Sequence, residues 1–366
     1  MLRPLYYLCK IFGLASYSYV ADRRNKRATA DCGYWNCMIN VIRLIVCTVG
    51  LPVRILTLSS DDFDSQTLLI AFMVSVISSY TSSIVAVVWV SVIKRRKILD
   101  TLENSSEVEN KIRYTLQEET SMNIRVIFNI ISEIILLTFI QCTVIVYNIH
   151  QNASEPYYIT ITATIDYVPD ICNALVLFKF GNIVIMMKQR YSHPKKRLNY
   201  WINCAVIRPI CLNKQKERCN QTDRAFDQVH ITSLYVSSVR NLVGTLKQTD
   251  IHCLRQIYSE LYDITCLIND IYGIPVLVTV CSVLTRVVFC LCEALICFKK
   301  WAGEDLTHSI AFMVLFFKVT FFCHTTTNEA MSSRILVEKL LLEGKFRNEC
   351  VKELKMFSLQ LQAMKI

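Results

Sequence analysis

The residues best placed to do chemistry in this chain are charges set inside apolar runs. Asp166 and Asp170 lie in the run at 157–187, Arg286 and Glu293 in the run at 271–298, and Lys318 in the run at 309–323. A charge in hydrocarbon costs several kcal/mol unless it faces protein, water or a ligand, so each of these marks a polar interior or a binding site. Asp166 and Glu293 are the candidate ligand-binding groups. Tyr147, Tyr158, Tyr167, Phe289 and Phe312 would supply the aromatic walls that a small-molecule pocket combines with a few polar groups. For Arg286 and Glu293, seven residues apart on one helix face, the alternative is structural pairing with neighbouring spans.

Other chemistry finds no footing. The six His residues are scattered, with no His-Glu-x-x-His pattern, and no Gly-rich phosphate loop is present. Cys204, Cys211 and Cys219 are spaced by seven and eight residues and form no Cys-x-x-Cys pair. No catalytic residue, metal or cofactor is expected, and the chain does not read as an enzyme.

The elements that must position these charges follow from composition. Of 366 residues 53% are hydrophobic and 19% charged, with 8 Gly and 7 Pro, which is too apolar for an ordinary soluble domain and too poor in breakers for a sheet protein. The expected fold is all-α: a polytopic membrane helical bundle with a cytosolic helical layer. Six spans are visible, at about 34–58, 67–93, 126–149, 157–187, 271–298 and 309–323, each near the ~20 residues that cross a bilayer except the short last one. The organisation is then a cytosolic segment 1–33, spans one to four within 34–187, a cytosolic loop and amphipathic helix at 188–270, spans five and six within 271–323, and a cytosolic helical stretch at 324–366. The 17 cysteines lie mostly in spans or in connections assigned to the cytosol, as reduced thiols do.

Charge orients the bundle. The connections 1–33, 94–123, 188–270 and 326–366 hold 6, 6, 13 and 7 Lys or Arg, against 0, 0 and 2 in 59–66, 150–156 and 299–306. That asymmetry predicts a cytosolic amino terminus and places Asp166 and Glu293 in the outer halves of their spans. Asn152, in Asn152-Ala153-Ser154, is then a candidate glycosylation site on an outer loop. The net charge of +10 sits beside apolar runs, so its partner is the lipid bilayer and not nucleic acid.

One stretch ties the layers together. Leu254, Ile257, Tyr258, Leu261, Ile264, Ile268, Ile271 and Tyr272 recur on one face of a helix whose other face carries Arg255, Glu260, Asp263 and Asp270. Past Gly273 the polar face disappears, and the helix is expected to run unbroken into the fifth span. The stretch from Ser332 to Gln362 reads as further cytosolic helix, able to pack against the first.

These segments resemble the insect chemoreceptors, and the gustatory receptors more than the odorant receptors. IYSELYDITCLINDIYGIPVLV is similar to the family pattern entering its fifth span, at Leu261, Asn269, Tyr272 and Gly273; ELKMFSLQLQ matches the family's Phe-x-x-Gln-Leu at Phe357, Gln360 and Leu361. The resemblance implies a subunit of a ligand-gated cation channel for a small tastant, assembled as a homo- or heterotetramer with other receptor subunits in the plasma membrane of sensory neurons. Leu261, Asn269, Tyr272, Gly273, Phe357 and Gln360 become candidate structural or gating residues. In the family a seventh span follows Phe-x-x-Gln-Leu and lines the pore; here the sequence stops at Ile366, so the expectation is a chain without that helix, conducting or, for want of it, non-conducting. A G-protein-coupled receptor would need an outer amino terminus and Asp-Arg-Tyr and Asn-Pro-x-x-Tyr patterns, which are absent. A transporter would favour inverted repeats, and none is visible.

Overall fold

The computed structural model describes residues 34–57, 66–116, 156–219, 248–296, 302–343 and 346–364. Among the described residues there are seven α-helices and no strand: α1 (Tyr34–Thr57), α2 (Gln66–Val88), α3 (Arg95–Leu116), α4 (Pro156–Cys219), α5 (Gln248–Ile296), α6 (Ala302–Glu343) and α7 (Asn348–Ala363). The protein is an all-α membrane helical protein. Three helical segments, Leu69–Val88, Val168–Asn203 and Gln248–Cys292, are long and apolar enough to cross a bilayer, and Leu44–Val53 is a shorter apolar piece. The expected third span, 126–149, lies outside the described residues, as do Tyr147 and Asn152.

α5 carries out the expected change of character. It is continuous for 49 residues with Pro275 inside it. All eight apolar positions of its first half, from Leu254 to Tyr272, are buried. Beyond Gly273, Ile274, Leu277, Leu284, Val288 and Leu291 are exposed at three- to seven-residue spacing, a face fit for hydrocarbon, while Thr279, Ser282, Val283, Phe289 and Cys290 turn inward.

Two expectations are corrected. The basic stretch from Lys188 does not form a loop at its start: α4 runs on as helix for 64 residues to Cys219. Lys and Arg are good helix formers, so the charge that marks the end of a span does not end the helix. The stretch from Ser332 to Gln362 is two helices, because Arg347 is extended (φ −63°, ψ 149°) between α6 and α7. Ile335 is exposed, whereas Leu340, Leu354 and Phe357 are buried.

α2 passes into a π-helical turn, Trp89–Ile93, closed by the Lys94 N–H donating to the Trp89 carbonyl at 2.9 Å. One extra residue is wound into this turn, after which α3 starts.

The chain divides into two compact units: 1–103, 121–185 and 266–323 form the first; 104–120, 186–265 and 324–366 form the second. In the first, α1, α2, α4, α5 and α6 contribute apolar and small polar contacts. Phe72 meets Phe289 edge-on at 5.4 Å, and Ala174 and Val283 share a cluster with Val287 and Leu315. The second is built around Tyr258, whose ring lies 5.8 Å from Tyr191 and 5.3 Å from Phe357 and whose hydroxyl bonds Ser333. Here the helices of α5 and α7 do pack together, and Arg255 and Glu353 join them at 3.6 Å.

Candidate functional site

The polar interior of the first unit starts from a row of small residues. Ser75, Ser78, Ser79, Ser82 and Ser83 fall at steps of three and four on α2, so they share one helix face. Four of them, all but Ser78, are buried. Small side chains let helices approach closely, and their hydroxyls bridge to neighbours.

On α4, Asp170 and Asn173 are one turn apart and meet this face; on α5, Thr279, Ser282 and Arg286 do the same. The Ser79 hydroxyl donates to Asp170 Oδ1 at 2.8 Å, and Arg286 Nη1 donates to Asp170 Oδ2. Asn173 Nδ2 donates to Ser79 Oγ at 3.3 Å, and the Ser82 hydroxyl donates to Asn173 Oδ1 at 2.9 Å. Thr279 Oγ1 lies 3.1 Å from Ser82 Oγ. A serine hydroxyl has one proton, already given to Asn173, so Thr279 is the donor in that contact. The result is one directional chain, Thr279 to Ser82 to Asn173 to Ser79 to Asp170, with Arg286 closing on the same carboxylate. Each bond polarises the next toward the negative charge. Asp170 is 3% exposed, Asn173 2%, and Ser82 and Thr279 0%. Arg286 thus takes the structural partner that sequence reasoning allowed for it.

A second polar spot lies between α4 and α6. A Cβ at Gly181 would meet Val319 Cγ2 at 3.3 Å, so the missing side chain lets the helices come together there. Beside it is a narrow crevice lined by Leu177, Phe178, Asn182, Leu315, Lys318 and Phe322, among others. Asn182 Nδ2 donates to the Phe178 carbonyl while its Oδ1 is buried and unpartnered. Lys318 places its ammonium 5.9 Å from the Phe322 ring centroid.

Of the expected ligand-binding residues, Phe289 is buried against Phe72 and Ala71. Tyr158, Asp166, Tyr167, Glu293 and Phe312 lie on α4, α5 and α6, with their side chains outside the described residues. Of the expected gating residues, Leu261 and Phe357 are fully buried in the second unit. Tyr272 is buried beside the Phe180 ring at 6.1 Å, with the Lys179 ammonium 5.6 Å from its own centroid. Asn269 is exposed and its Oδ1 lies 3.6 Å from where a Cβ on Gly273 would stand. Gln360 lines an open groove with His252, Arg255, Gln256, Ser259 and Asp263.

Sequence reasoning missed the serine row and the buried Lys179. The signal for the first was the spacing in SVISSYTSS, which hydropathy averages over; for the second it was a lysine within LVLFKFGN.

Ion pairs knit the second unit. Lys111 meets Glu260 at 2.5 Å, Arg190 meets Glu109 at 3.3 Å, and Lys195 meets Glu329 at 2.9 Å. The hydrogen bond to Glu260 holds the Lys111 ammonium above the usual lysine value of 10.5. No group of three or more His, Cys, Asp or Glu that could hold a metal occurs among the described residues.

Among the described residues the arrangement sets no nucleophile beside a base. It offers a buried, fully bonded polar chain in an apolar bundle. Residues 2–366 match the family model described as 7tm Chemosensory receptor. No curated protein matches the chain.

Proposed function

The chain belongs to the chemosensory receptor family, and from that premise we propose that it is a gustatory receptor, a subunit of a tetrameric cation channel opened by a small tastant at the plasma membrane of sensory neurons. The observation that carries the reading is the Asp170–Arg286 pair and its serine-bridged chain, buried where α2, α4 and α5 are otherwise apolar. Buried ionic pairs are weak sources of stability in themselves, whereas intramembrane charges recur where function needs them.

In this reading the tastant binds toward the outer halves of the fourth and fifth spans, at Asp166 and Glu293. These lie four residues before Asp170 and seven after Arg286, one and two helical turns away. The ligand opens the gate only to the extent that it binds the open state better than the closed one; a thousandfold preference is worth about 4 kcal/mol. A buried polar chain that joins α2, α4 and α5 is a suitable element for such a bias.

The test is expression of the full chain, alone and with candidate partner subunits, followed by current recording under a panel of small tastants. Tastant-evoked cation current that is altered by Asp170→Asn at unchanged surface level supports the proposal. Normal surface expression with no current in any combination, and no tastant binding, rejects it.

A further inference from the structure

Where α2 leaves its apolar stretch the chain presents four consecutive cations, Lys94-Arg95-Arg96-Lys97. Two of them converge on one carboxylate: Lys94 Nζ is 2.8 Å from Asp270 Oδ1, and Lys97 Nζ is 2.6 Å from Asp270 Oδ2. One negative charge therefore serves two positive ones. Arg96 is exposed and pairs with no acidic group among the described residues. Asp100, one turn along α3, is exposed, so among the described side chains three cations meet two carboxylates here. The site is open at Lys97 and Asp270, 48% and 42% exposed, while Lys94 is 12% exposed with its ammonium 5.1 Å from the Trp89 ring centroid.

What adjoins this charge is as telling as the charge. Val92 and Ile93, directly before Lys94, are 71% and 55% exposed. On α5, Ile274 and Leu277, one and two turns past Asp270, are 43% and 62% exposed. Both helices therefore pass within two turns from open charge to open apolar surface. A free anion would use only the first of these surfaces, and a hydrocarbon only the second. A molecule with a negative head and apolar tails uses both.

We propose that Lys94, Arg96 and Lys97 bind the phosphate of an anionic membrane phospholipid, whose acyl chains lie along Val92, Ile93, Ile274 and Leu277. The planar guanidinium offers paired donors to phosphate oxygens, and the ammonium groups add point charges. Asp270 is then an internal competitor, because it occupies the same two lysines. Lipid binding would loosen the tie between the start of α3 and the middle of α5, beside Tyr272 and Gly273. Any such effect is independent of which tastant the receptor takes.

The experiment uses the full chain in mild detergent, titrated with dioctanoyl phosphatidylserine, dioctanoyl phosphatidylcholine or inorganic phosphate, and read by native mass spectrometry and by thermal shift. Phosphatidylserine is expected to bind with preference over phosphatidylcholine, and Arg96→Gln to weaken it about fivefold, the factor one basic residue near an anionic surface supplies. Asp270→Asn is expected to tighten it, since two lysines are released. Arg347→Gln, an exposed arginine outside the cluster, is expected to leave it unchanged. Equal binding of the two lipids overturns the proposal, as does indifference to both Arg96→Gln and Asp270→Asn. Inorganic phosphate that binds as well as phosphatidylserine overturns the assignment to a lipid. The opposite signs expected for the two variants separate binding from loss of folding, which would weaken both.

Discussion

Asp170 and Arg286 face each other from two helices that are apolar on either side of them, and the carboxylate also takes the Ser79 hydroxyl at 2.8 Å. Both carboxylate oxygens are thereby satisfied, and Asp170, its side chain 4% exposed, is the more deeply buried partner of the pair.

Arg286→Leu alone is expected to lower stability by about 3–5 kcal/mol, the cost of leaving the buried Asp170 carboxylate without its counter-charge, and Asp170→Asn to cost less, because the guanidinium left behind is 22% exposed. Removing both charges together should recover much of that loss. Unfolding in detergent or lipid, followed by tryptophan fluorescence, measures all three variants. A double variant as unstable as the sum of the singles would mean the two residues do not act as a pair.

Tyr258 tests the centre of the second unit. It is 1% exposed, between Tyr191 and Phe357, with its hydroxyl on Ser333. Tyr258→Phe should cost about 1 kcal/mol, a lost neutral hydrogen bond, and Tyr258→Ala about 3–5 kcal/mol, a cavity. Adding Ser333→Ala to Tyr258→Phe should cost little more, because the stranded hydroxyl is removed with it. Thermal melts of the purified protein would decide.

Lys111 gives a pH dependence. Its hydrogen bond to Glu260 raises the folded-state value above 10.5, so the pair stabilises fully below that value and the contribution is lost as pH rises through the folded value. Lys111→Met should therefore be less stable than the natural protein near neutral pH, and the gap should close at strongly alkaline pH. A gap that widened above pH ~11 would show that the pair does not act in this way.

Glu293→Gln in the full receptor should shift the tastant dose response while the protein still reaches the cell surface. Surface labelling with concentration–response recording measures both. An unmoved curve at normal surface level would remove Glu293 from the ligand site.

What could be read from the sequence depended on how locally it was encoded. The eight buried positions of α5 from Leu254 to Tyr272 follow from period alone, and so does the loss of a polar face after Gly273. The continuation of α4 to Cys219 was hidden by a change of composition from apolar to basic, which alters solvation and not backbone geometry. The break before Arg347 did have a local signal, Gly344 directly after Glu343, a residue that favours helix ends, but the apolar repeat on either side outweighed it. Arg286 and Asp170 were both singled out because a charge among apolar residues stands out, but their pairing was not, since contact across more than a hundred residues leaves no local trace. The serine row was overlooked for the opposite reason: serine is nearly neutral in hydropathy, and only its spacing carries the message.

The π turn at Trp89–Ile93 sets a phase. An α-helix advances about 100° per residue, so the extra residue, together with the bend at Lys94 (φ −102°, ψ 9°), re-aims the start of α3 relative to an unbroken continuation of α2. The serine row of α2 and the lysines of α3 can therefore both find α5, the first through Thr279 and Ser282 and the second through Asp270, although one straight helix would aim them differently. Deleting a single residue here would keep the helical content seen by circular dichroism. It would turn Lys94 and Lys97 away from Asp270, an error of rotation in a chain that had lost no helix.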